Sequence, residues 1–553
     1  MKLPVYEVLA QAFVAEGVDT LFTLMGDANM HWVNAMAKHN GVRIVHTRHE
    51  HCACAAAISF AWATGRPGVA SVTCGPGFTQ TMTALATAAR GRVPLVIFAG
   101  ETAIGARYNN QRIDHAPFAA AAGARYIQVH SSNRMLESVH AAFHCAQLEE
   151  MPVVLGIPFD LQKQLIADAS DYRPSASMLA SSEGLRPNAR LVEDAVQRIR
   201  SSRRPIIVAG RGAVRSDAKA QIEALAAQCG ALLATTLPAK GYFDGNEFSI
   251  GIAGGFASEL AYELFADSDL VIAVGASLSN HTAHGGKLYP KASVVQIDLN
   301  PGSREGGGAA DLFLKCDAKA GVEAILDQLR HDCAPAQGLQ QGLHSPSLAR
   351  RIATETPDPR EYPIDPGTFD PRDAIAELDR VIPKDWDVVS GGGHASYFTT
   401  LMRGRSPKHY FTLREFGAVG NGLSFALGVA ATRPEGKVLL VEGDGGLLMH
   451  IQELETIKRH KLKLVIGVMN DGGFGAEIHK FRADGLDPAE AIFGRPDFAS
   501  IANGFGLRGS NITSLDQFAS LLRNYEAAGE AEVWNIPISD KVPSIYQTRQ
   551  VRH

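Results

Sequence analysis

Short apolar segments alternate with longer amphipathic segments throughout the chain. The short segments are rich in β-branched residues and end at Gly, Pro or a polar residue, which is typical of buried parallel strands, and the segments between them have the length and period of helices. The predicted strands form three sets: first TLFTLMG, VRIVHT, GVASVTCG, PLVIFAG and PVVLGIP; then RRPIIVAGRGA, ALLATTL, DLVIAVGAS and SVVQIDLNP; last DWDVVSGGG, HYFTLREFG, KVLLVEGDGG, LKLVIGVMNDGG and EVWNIPI. This alternation predicts parallel α/β sheets.

Two polar connectors separate the three sets. The first, DYRPSASMLASSEGLRPNAR, is rich in Ser and Pro, and the second runs over residues 334–371. We therefore predict three doubly wound α/β domains over residues 1–165, 186–335 and 366–553. In such sheets the loops that follow the strands carry the functional groups.

Composition and charge narrow the class of protein. Hydrophobic residues make up 46% of the 553 residues and charged residues 20%, which is a globular composition. The net charge of -5 and the lack of a recurring basic block argue against a nucleic-acid partner. The start of the chain does not have the pattern of a secretion signal, and eighteen apolar residues never run together, so we expect a cytoplasmic protein without a membrane partner. Seven scattered cysteines do not make a disulfide framework, and Cys52 and Cys54 are expected in the core.

Two oxygen-rich loops follow consecutive predicted strands in the third domain. Gly443-Asp444-Gly445-Gly446 comes before a helix predicted to begin near Leu447, and Asn470-Asp471-Gly472-Gly473 follows the next strand. Glycines let backbone N–H groups approach a phosphate, and a carboxylate beside them would hold a bridging Mg²⁺. One helix and one strand are predicted between the two loops, so we expect the strands before them to be neighbours in the sheet and the two loops to be able to share a cation.

The spacing of these loops resembles that of the thiamine diphosphate enzymes, whose signature is Gly-Asp-Gly followed, after a spacer of this size, by Asn-Asn. The resemblance implies that Mg²⁺ is bound by Asp444, Asp471 and the Gly473 carbonyl. Asp471 stands where the family has Asn; a carboxylate still coordinates Mg²⁺ but adds negative charge, and Asn470 is the alternative ligand. The rest of the implied diphosphate site comprises Gly443, Gly445, Gly446, Phe474 and Gly475.

Two segments of the first domain resemble the acetolactate synthase branch of this family. Arg48-His49-Glu50 leads into a helix of small residues, and in that branch the glutamate binds N1′ of the cofactor's aminopyrimidine, which assists proton removal from C2 of the thiazolium. The alternative is a glutamate that only stabilises a helix start. Segment 73–80, TCGPGFTQ, resembles the T-x-G-P-G-x-T-N turn of the branch, although a tight strand-to-helix turn would also need its glycines.

The third domain carries two further segments of this kind. Segment 415–422, EFGAVGNG, resembles the family's G-x-M-G-x-G motif, which implies that the Gly417 carbonyl accepts a hydrogen bond from N4′ and that Val419 wedges the cofactor into its bent conformation. Gly393, His394 and Ala395 fall in the family's diphosphate-side loop. The resemblance therefore spans the whole chain.

Residues on the substrate side support two different reactions. Asp27, in Gly26-Asp27-Ala28-Asn29, and Glu477 resemble active-site acids of the pyruvate decarboxylase branch, but Asp27 also fits a helix N-cap and Glu477 a helix surface. The adjacent histidines of that branch are missing near residue 110. Gln111 instead resembles the glutamine at the substrate mouth of acetolactate synthase and benzaldehyde lyase, and His115 fits either an exposed loop residue or a proton shuttle.

The resemblance implies a carboligase or lyase that acts on 2-oxo acids or 2-hydroxyketones. It also implies a homodimer or homotetramer, because in the family the pyrimidine-binding domain of one subunit faces the diphosphate-binding domain of another. The alternatives are a 2-oxo acid decarboxylase, a hydrolase of a cyclic diketone and an inactive relative that binds the cofactor. In the hydrolase, His31, His49 or His51 would handle the water.

The sequence gives less support to two other kinds of cofactor, NAD in a dehydrogenase and FAD or a nucleotide in the central domain. If the chain were a NAD-dependent dehydrogenase, Glu50 and the two oxygen-rich loops at 443–446 and 470–473 would have no explanation. Gly210-Arg211-Gly212 in the central domain lacks the third glycine of a dinucleotide fingerprint, so a structural domain is favoured over one that binds FAD or a nucleotide.

Overall fold

Three six-stranded parallel sheets follow one another along the chain, which confirms the predicted fold class. The computed structural model describes residues 2–179, 184–300, 310–331, 343–412 and 414–550. Among these residues, no helix is both long and apolar enough to cross a membrane.

The first sheet has the order β3-β2-β4-β5-β7-β6, and an antiparallel pair, β1 with β8, lies outside it. The strands are β1 (Lys2–Pro4), β2 (Thr20–Thr23), β3 (Arg43–His46), β4 (Gly68–Val72), β5 (Leu95–Glu101), β6 (Arg125–Gln128), β7 (Pro152–Pro158) and β8 (Leu165–Ala167). The helices are α1 (Val5–Ala15), α2 (Met30–Met36), α3 (Glu50–Thr64), α4 (Pro76–Thr79), α5 (Met82–Gly91), α6 (His115–Ala121), α7 (Met135–Glu149) and α8 (Phe159–Gln162).

The central sheet has the order β11-β10-β9-β12-β13-β14, so the chain reverses direction across the sheet between β9 and β12. The strands are β9 (Pro205–Ala209), β10 (Leu232–Thr235), β11 (Ser249–Ile252), β12 (Leu270–Val274), β13 (Ser293–Asp298) and β14 (Leu312–Lys315). The helices are α9 (Ala189–Ser201), α10 (Arg211–Arg215), α11 (Lys219–Cys229), α12 (Glu259–Ala266), α13 (Asn280–Ala283), α14 (Ala318–His331) and α15 (Pro346–Thr354).

The third sheet has the order β16-β15-β17-β18-β20-β19. The strands are β15 (Asp387–Ser390), β16 (Tyr410–Phe411), β17 (Val438–Gly443), β18 (Val465–Asn470), β19 (Arg508–Asn511) and β20 (Glu532–Pro537). The helices are α16 (Pro371–Val381), α17 (His394–Tyr397), α18 (Asn421–Ala431), α19 (Asp444–Met449), α20 (Glu453–His460), α21 (Gly475–Ala483), α22 (Phe498–Gly504), α23 (Gln517–Ala528) and α24 (Ile545–Gln550).

The first and third domains share one hydrophobic core, built around the contact between α3 and α18. The small side chains of α3, buried from His51 to Ala61, let its backbone approach both neighbours closely. A Cβ atom added to Gly68 of β4 or to Gly428 of α18 would lie only 2.0 Å from a carbonyl oxygen of α3. The tight packing fixes α3, and therefore Glu50 at its start, against the third domain.

Two expectations need correction and one is confirmed. The helix predicted to begin near Leu447 begins at Asp444, because an acidic residue in the first turn satisfies N–H groups there and favours the helix dipole. Two helices, α19 and α20, rather than one, lie between the paired loops. Cys52 and Cys54 are buried and unpaired, as expected, whereas Cys333 lies outside the described residues.

Candidate active site

The two oxygen-rich loops meet at the carboxyl ends of neighbouring strands. β17 and β18 pair in parallel, with Gly443 opposite Met469, so Asp444 and Asp471 emerge side by side. The Asp444 carboxylate accepts hydrogen bonds from Gly445 N at 2.8 Å and from Gly472 N at 2.7 Å, which ties one loop to the other. The structure thus brings together the two carboxylates that the sequence pairs.

Both carboxyl groups are buried and lie close to each other. Burial, together with repulsion from Asp471, raises the pKa of Asp444, and burial raises the pKa of Asp471. Among the described residues, the one cation-forming side chain within 4 Å of either carboxylate is His394, whose Nδ1 lies 3.9 Å from Asp471 Oδ2. Burial lowers the pKa of His394 to about 4, so its ring is neutral at pH 7.

This donor set fits a divalent cation. Carboxylate oxygens are the ligands that Mg²⁺ prefers, and a cation would remove the repulsion between them. The described residues contain no cluster of three or more His, Cys, Asp or Glu side chains with metal-binding geometry, so further ligands here would be carbonyl, water or diphosphate oxygens.

The alternative ligand, Asn470, is held through its amide nitrogen, while its buried Oδ1 has no hydrogen-bond partner among the described residues. Its amide Nδ2 donates to Asn535 Oδ1 at 2.9 Å and to Pro496 O at 3.0 Å, which ties the side chain to β20 and the loop beyond α21. Asp471 Oδ1 instead accepts from Gly473 N at 3.3 Å within the loop itself. Asp471 interacts directly with Asp444, whereas the nitrogen contacts hold the Asn470 side chain beside β20, and this placement favours Asp471 as the ligand.

Three glycine-containing loops converge around the carboxylate pair. Gly393 and Gly417 adopt positive φ values of 84° and 70°, which glycine permits at little cost. A Cβ atom on Gly393 would lie 3.9 Å from Val419 Cγ1, and one on Gly443 would lie 3.5 Å from Ala395 Cβ. The loops predicted to hold one cofactor are therefore in contact.

The two oxygen-rich loops also contact the residues that follow Gly473. The Phe474 ring would lie 2.9 Å from a Cβ atom on Gly445, and a Cβ atom on Gly475 would lie 2.5 Å from Asp471 Oδ2. Glycine at 475 therefore leaves the Asp471 carboxylate room. Gly446 lies in the first turn of α19.

Glu50 begins α3 where the first and third domains meet. Its Oε1 lies 3.5 Å from the position of a Cβ atom on Gly77, so the 73–80 turn closes over the carboxyl group. The next residue, His51, has its Nε2 2.5 Å from Asn421 Oδ1, and its ring stacks on His450 at 4.9 Å. His450 in turn donates from Nδ1 to Gly420 O at 2.8 Å. Sequence patterns did not reveal Asn421 or His450, because their role depends on packing between two domains.

His115 and Gln111 both contact the 73–80 turn. His115 is buried, not exposed, and its Nε2 accepts a hydrogen bond from Gly75 N at 3.3 Å; burial lowers its pKa to about 4. The Gln111 side chain lies 3.3 Å from Cys74 Sγ. A buried ring that holds a backbone N–H fits a positioning role better than proton transfer to solvent.

Asp27 and Glu477 are exposed in the single chain and lie on different domains. Asp27 is not an N-cap, because α2 begins one residue after Asn29, which occupies that position. Glu477 is on α21 with its carboxylate 3.5 Å from Lys480 Nζ. No contact joins these two acids among the described residues.

A cavity of about 2450 Å³ lies between the three domains and reaches the Gly393 and Gly417 loops. Gly210 and Gly212 lie at its wall, after β9, where a Cβ atom on Gly210 would lie 2.2 Å from Gly275 O. Strand-end packing therefore accounts for the glycines of this turn. The preference for a purely structural central domain over one that binds FAD or a nucleotide stays a prediction.

One buried residue of the site was missed. Glu442, next to the Gly443–Gly446 turn, is fully buried, and burial raises its pKa to about 8. The signal was present as a single charged residue at the end of the otherwise apolar strand KVLLVE.

Family models of thiamine pyrophosphate enzymes match all three domains. The N-terminal TPP binding domain matches residues 4–122, the central domain residues 192–327 and the C-terminal TPP binding domain residues 390–533. A probable acetolactate synthase large subunit of Methanocaldococcus jannaschii is 26% identical over 546 residues, which cover 96% of this chain and 91% of the relative. An acetolactate synthase of Arthrospira platensis is 28% identical over 482 residues, covering 84% and 81%. One of Mycobacterium bovis is 26% identical over 537 residues, covering 94% and 85%.

Proposed function

This chain belongs to the thiamine pyrophosphate enzyme family. We propose that it is a carboligase or lyase acting on 2-oxo acids or 2-hydroxyketones. The observation that carries the proposal is the buried pair of carboxyl groups, Asp444 and Asp471, at adjacent strand ends. The similar acetolactate synthases support carbon–carbon bond chemistry at this site.

The residues present fit the cofactor and a Mg²⁺ ion. Thiamine diphosphate, when bound, supplies an electron sink beside a substrate carbonyl. Asp444, Asp471 and the Gly473 carbonyl would hold Mg²⁺, and the cation would offset the charge of both carboxylates. The remaining contacts to the cofactor are assigned to Gly393, His394, Ala395, Gly417, Val419, Gly443, Gly445, Gly446, Phe474 and Gly475.

Glu50 supplies the acid–base group. A carboxyl group at the start of α3, covered by the 73–80 turn, would hold a proton at N1′ of the aminopyrimidine. The tight packing of α3 on β4 and α18 keeps this group in place, which proton transfer at a fixed atom requires.

A second copy of the chain completes the site in this proposal. Apolar side chains are exposed beside both halves of the site: Tyr108 and Ile113 in the first domain, and Phe416, Met449 and Phe474 in the third. Exposed apolar groups of this kind mark a surface that another chain covers. A homodimer or homotetramer would bury them and bring Gln111 of one copy to the cofactor loops of the other.

Ligation is favoured over simple decarboxylation. The adjacent histidines of the decarboxylase branch are missing near residue 110, and the buried His115 accepts a hydrogen bond from Gly75 N. Gln111 and Phe474 are not acids, so few proton donors would surround the reacting carbon. A second carbonyl substrate could then react with that carbon before a proton does.

The test supplies pyruvate with thiamine diphosphate and Mg²⁺, with and without benzaldehyde, and quantifies products by chromatography. We expect a 2-hydroxyketone that disappears in Asp444→Ala. If the main product in the presence of benzaldehyde is acetaldehyde from pyruvate, and Glu477→Gln abolishes it, the decarboxylase is established instead. The matched control is Glu526→Gln, an exposed residue of α23, which should leave the acetaldehyde output unchanged. No consumption of any 2-oxo acid or 2-hydroxyketone in a panel would contradict both.

A further inference from the structure

Glu442 places a carboxyl group in the middle of the third sheet. It is the fifth residue of β17, a strand that pairs with β15 on one side and β18 on the other, and its side chain has no solvent exposure. In the described part of the chain, neither carboxyl oxygen makes a hydrogen bond of regular geometry. The polar groups closest to the carboxyl group are the backbone N–H groups of Gly392, Gly422 and Gly443. Burying such a group costs free energy, so its presence in a central strand needs an explanation.

Three glycines enclose this carboxyl group, one from each loop assigned to the cofactor. A Cβ atom would lie 2.3 Å from Glu442 Oε1 on Gly391, 1.6 Å from Oε2 on Gly422 and 2.4 Å from Oε1 on Gly446. Gly391 follows β15, Gly422 lies in the first turn of α18, and Gly446 lies in the first turn of α19. The carboxyl group therefore touches the backbone of all three loops at once.

Other buried glutamates of this domain are arranged differently. Glu453 accepts hydrogen bonds from Thr456 Oγ1 and Arg48 N, and Glu532 accepts from Trp534 Nε1 and pairs with Arg508. Their polar partners account for their burial. Glu442 has contacts with glycine backbone in place of such partners.

We propose that Glu442 is a positioning residue whose carboxyl group spaces the Gly391, Gly422 and Gly446 loops so that they converge on one thiamine diphosphate molecule. The inference rests on the proposed function. It explains why glycine occurs at three positions far apart in the sequence: each leaves room for the same two oxygen atoms. Without that group the loops would lose their common contact and collapse towards the strand.

The first test measures the affinity for thiamine diphosphate with Mg²⁺ by calorimetry. Glu442→Gln keeps the size of the group and should bind within about threefold of wild type, whereas Glu442→Ala should weaken binding by about tenfold or more. Glu532→Ala, a buried glutamate at the opposite end of the sheet, should lower the melting temperature but leave the affinity unchanged. Equal affinity for Glu442→Ala and wild type would overturn the proposal, as would equal losses in Glu442→Gln and Glu442→Ala.

A double-mutant cycle tests the contact from the other side. The three atoms nearest to a Cβ on Gly446 all belong to Glu442, so Gly446→Ala should weaken binding in the wild-type background. In the Glu442→Ala background, or in Glu442→Asp where the alanine variant does not fold, the added loss should fall to about twofold or less. If the loss of affinity in the double variant equals the product of the losses in the two single variants, the proposal is overturned.

The wild-type titration separates this inference from the proposed function. If the wild-type chain does not bind thiamine diphosphate with Mg²⁺, the proposed function and this inference fall together. If it binds and the Glu442 variants bind equally well, only this inference falls.

Discussion

Replacing Gly428 by alanine should separate α3 from α18. The added Cβ atom would lie 2.0 Å from Ala56 O and 2.1 Å from Ser59 Oγ. To restore the 3.4 Å of an ordinary contact, the two helices must move apart by about 1.4 Å. The obstacle is the backbone of a helix packed on β4, so a side-chain rotation cannot relieve it.

The expected loss of stability follows from two terms. Overpacking in a core costs roughly 1–3 kcal/mol. The buried hydrogen bond from Ser59 Oγ to Phe425 O, 2.8 Å long, spans the same contact. Its loss adds about 1 kcal/mol, for a total of about 2–4 kcal/mol. For domains of this size a loss of that order lowers the melting temperature by roughly 5–15 °C.

The assay is thermal unfolding, with Gly504→Ala as the matched control. Gly504 ends α22, and a Cβ atom there meets no atom within 4 Å, so we expect no loss of stability or a gain of about 0.5–1 kcal/mol. Because α3 begins at Glu50, Gly428→Ala should also slow hydrogen–deuterium exchange at C2 of bound thiamine diphosphate. A Gly428→Ala variant that melts at the wild-type temperature would refute the packing argument.

Three further outcomes test the site. Asp471→Asn should keep Mg²⁺-dependent cofactor binding with modestly changed affinity, because the amide oxygen still coordinates, while Asp471→Ala should lose it in calorimetry; an Ala variant with unchanged Mg²⁺ dependence would point to Asn470. Glu50→Gln should bind thiamine diphosphate but lose most C2 exchange measured by NMR, since an amide cannot hold the N1′ proton; exchange at the wild-type rate would contradict the assignment. Burial lowers the pKa of His51 to about 4, so the unfolded chain takes up a proton that the folded chain does not, and stability falls as pH drops from 7 to 5. His51→Gln keeps a donor for Asn421 and cannot titrate, so between pH 7 and pH 5 its unfolding free energy should fall by about 2 kcal/mol less than that of the wild type. Equal falls in the unfolding free energy of the two proteins over this pH range would contradict the argument.

Local pattern was enough to locate the interior strands. β4, β5, β7, β9, β12 and β15 are buried along their whole length, and a strand buried on both faces is a continuous apolar run in the sequence. The edge strands β6, β11, β14 and β19 were not predicted. In β6 (RYIQ) and β19 (RGSN) the residues are half-exposed and mostly polar, so the apolar run that marks a strand is absent. The edge strands β3 and β16 keep more apolar residues and were predicted.

The sequence by itself determined which two carboxylate-bearing loops meet, because the rule that parallel strands present their carboxyl ends at one edge needs only strand order. It placed Asp444 beside Asp471 and Glu50 at a helix start. Tertiary structure alone decided the rest. His51 and Asn421 are 370 residues apart, and Glu442 gathers glycines from three loops. Such contacts depend on how domains pack, and packing between distant segments leaves no period in the local sequence.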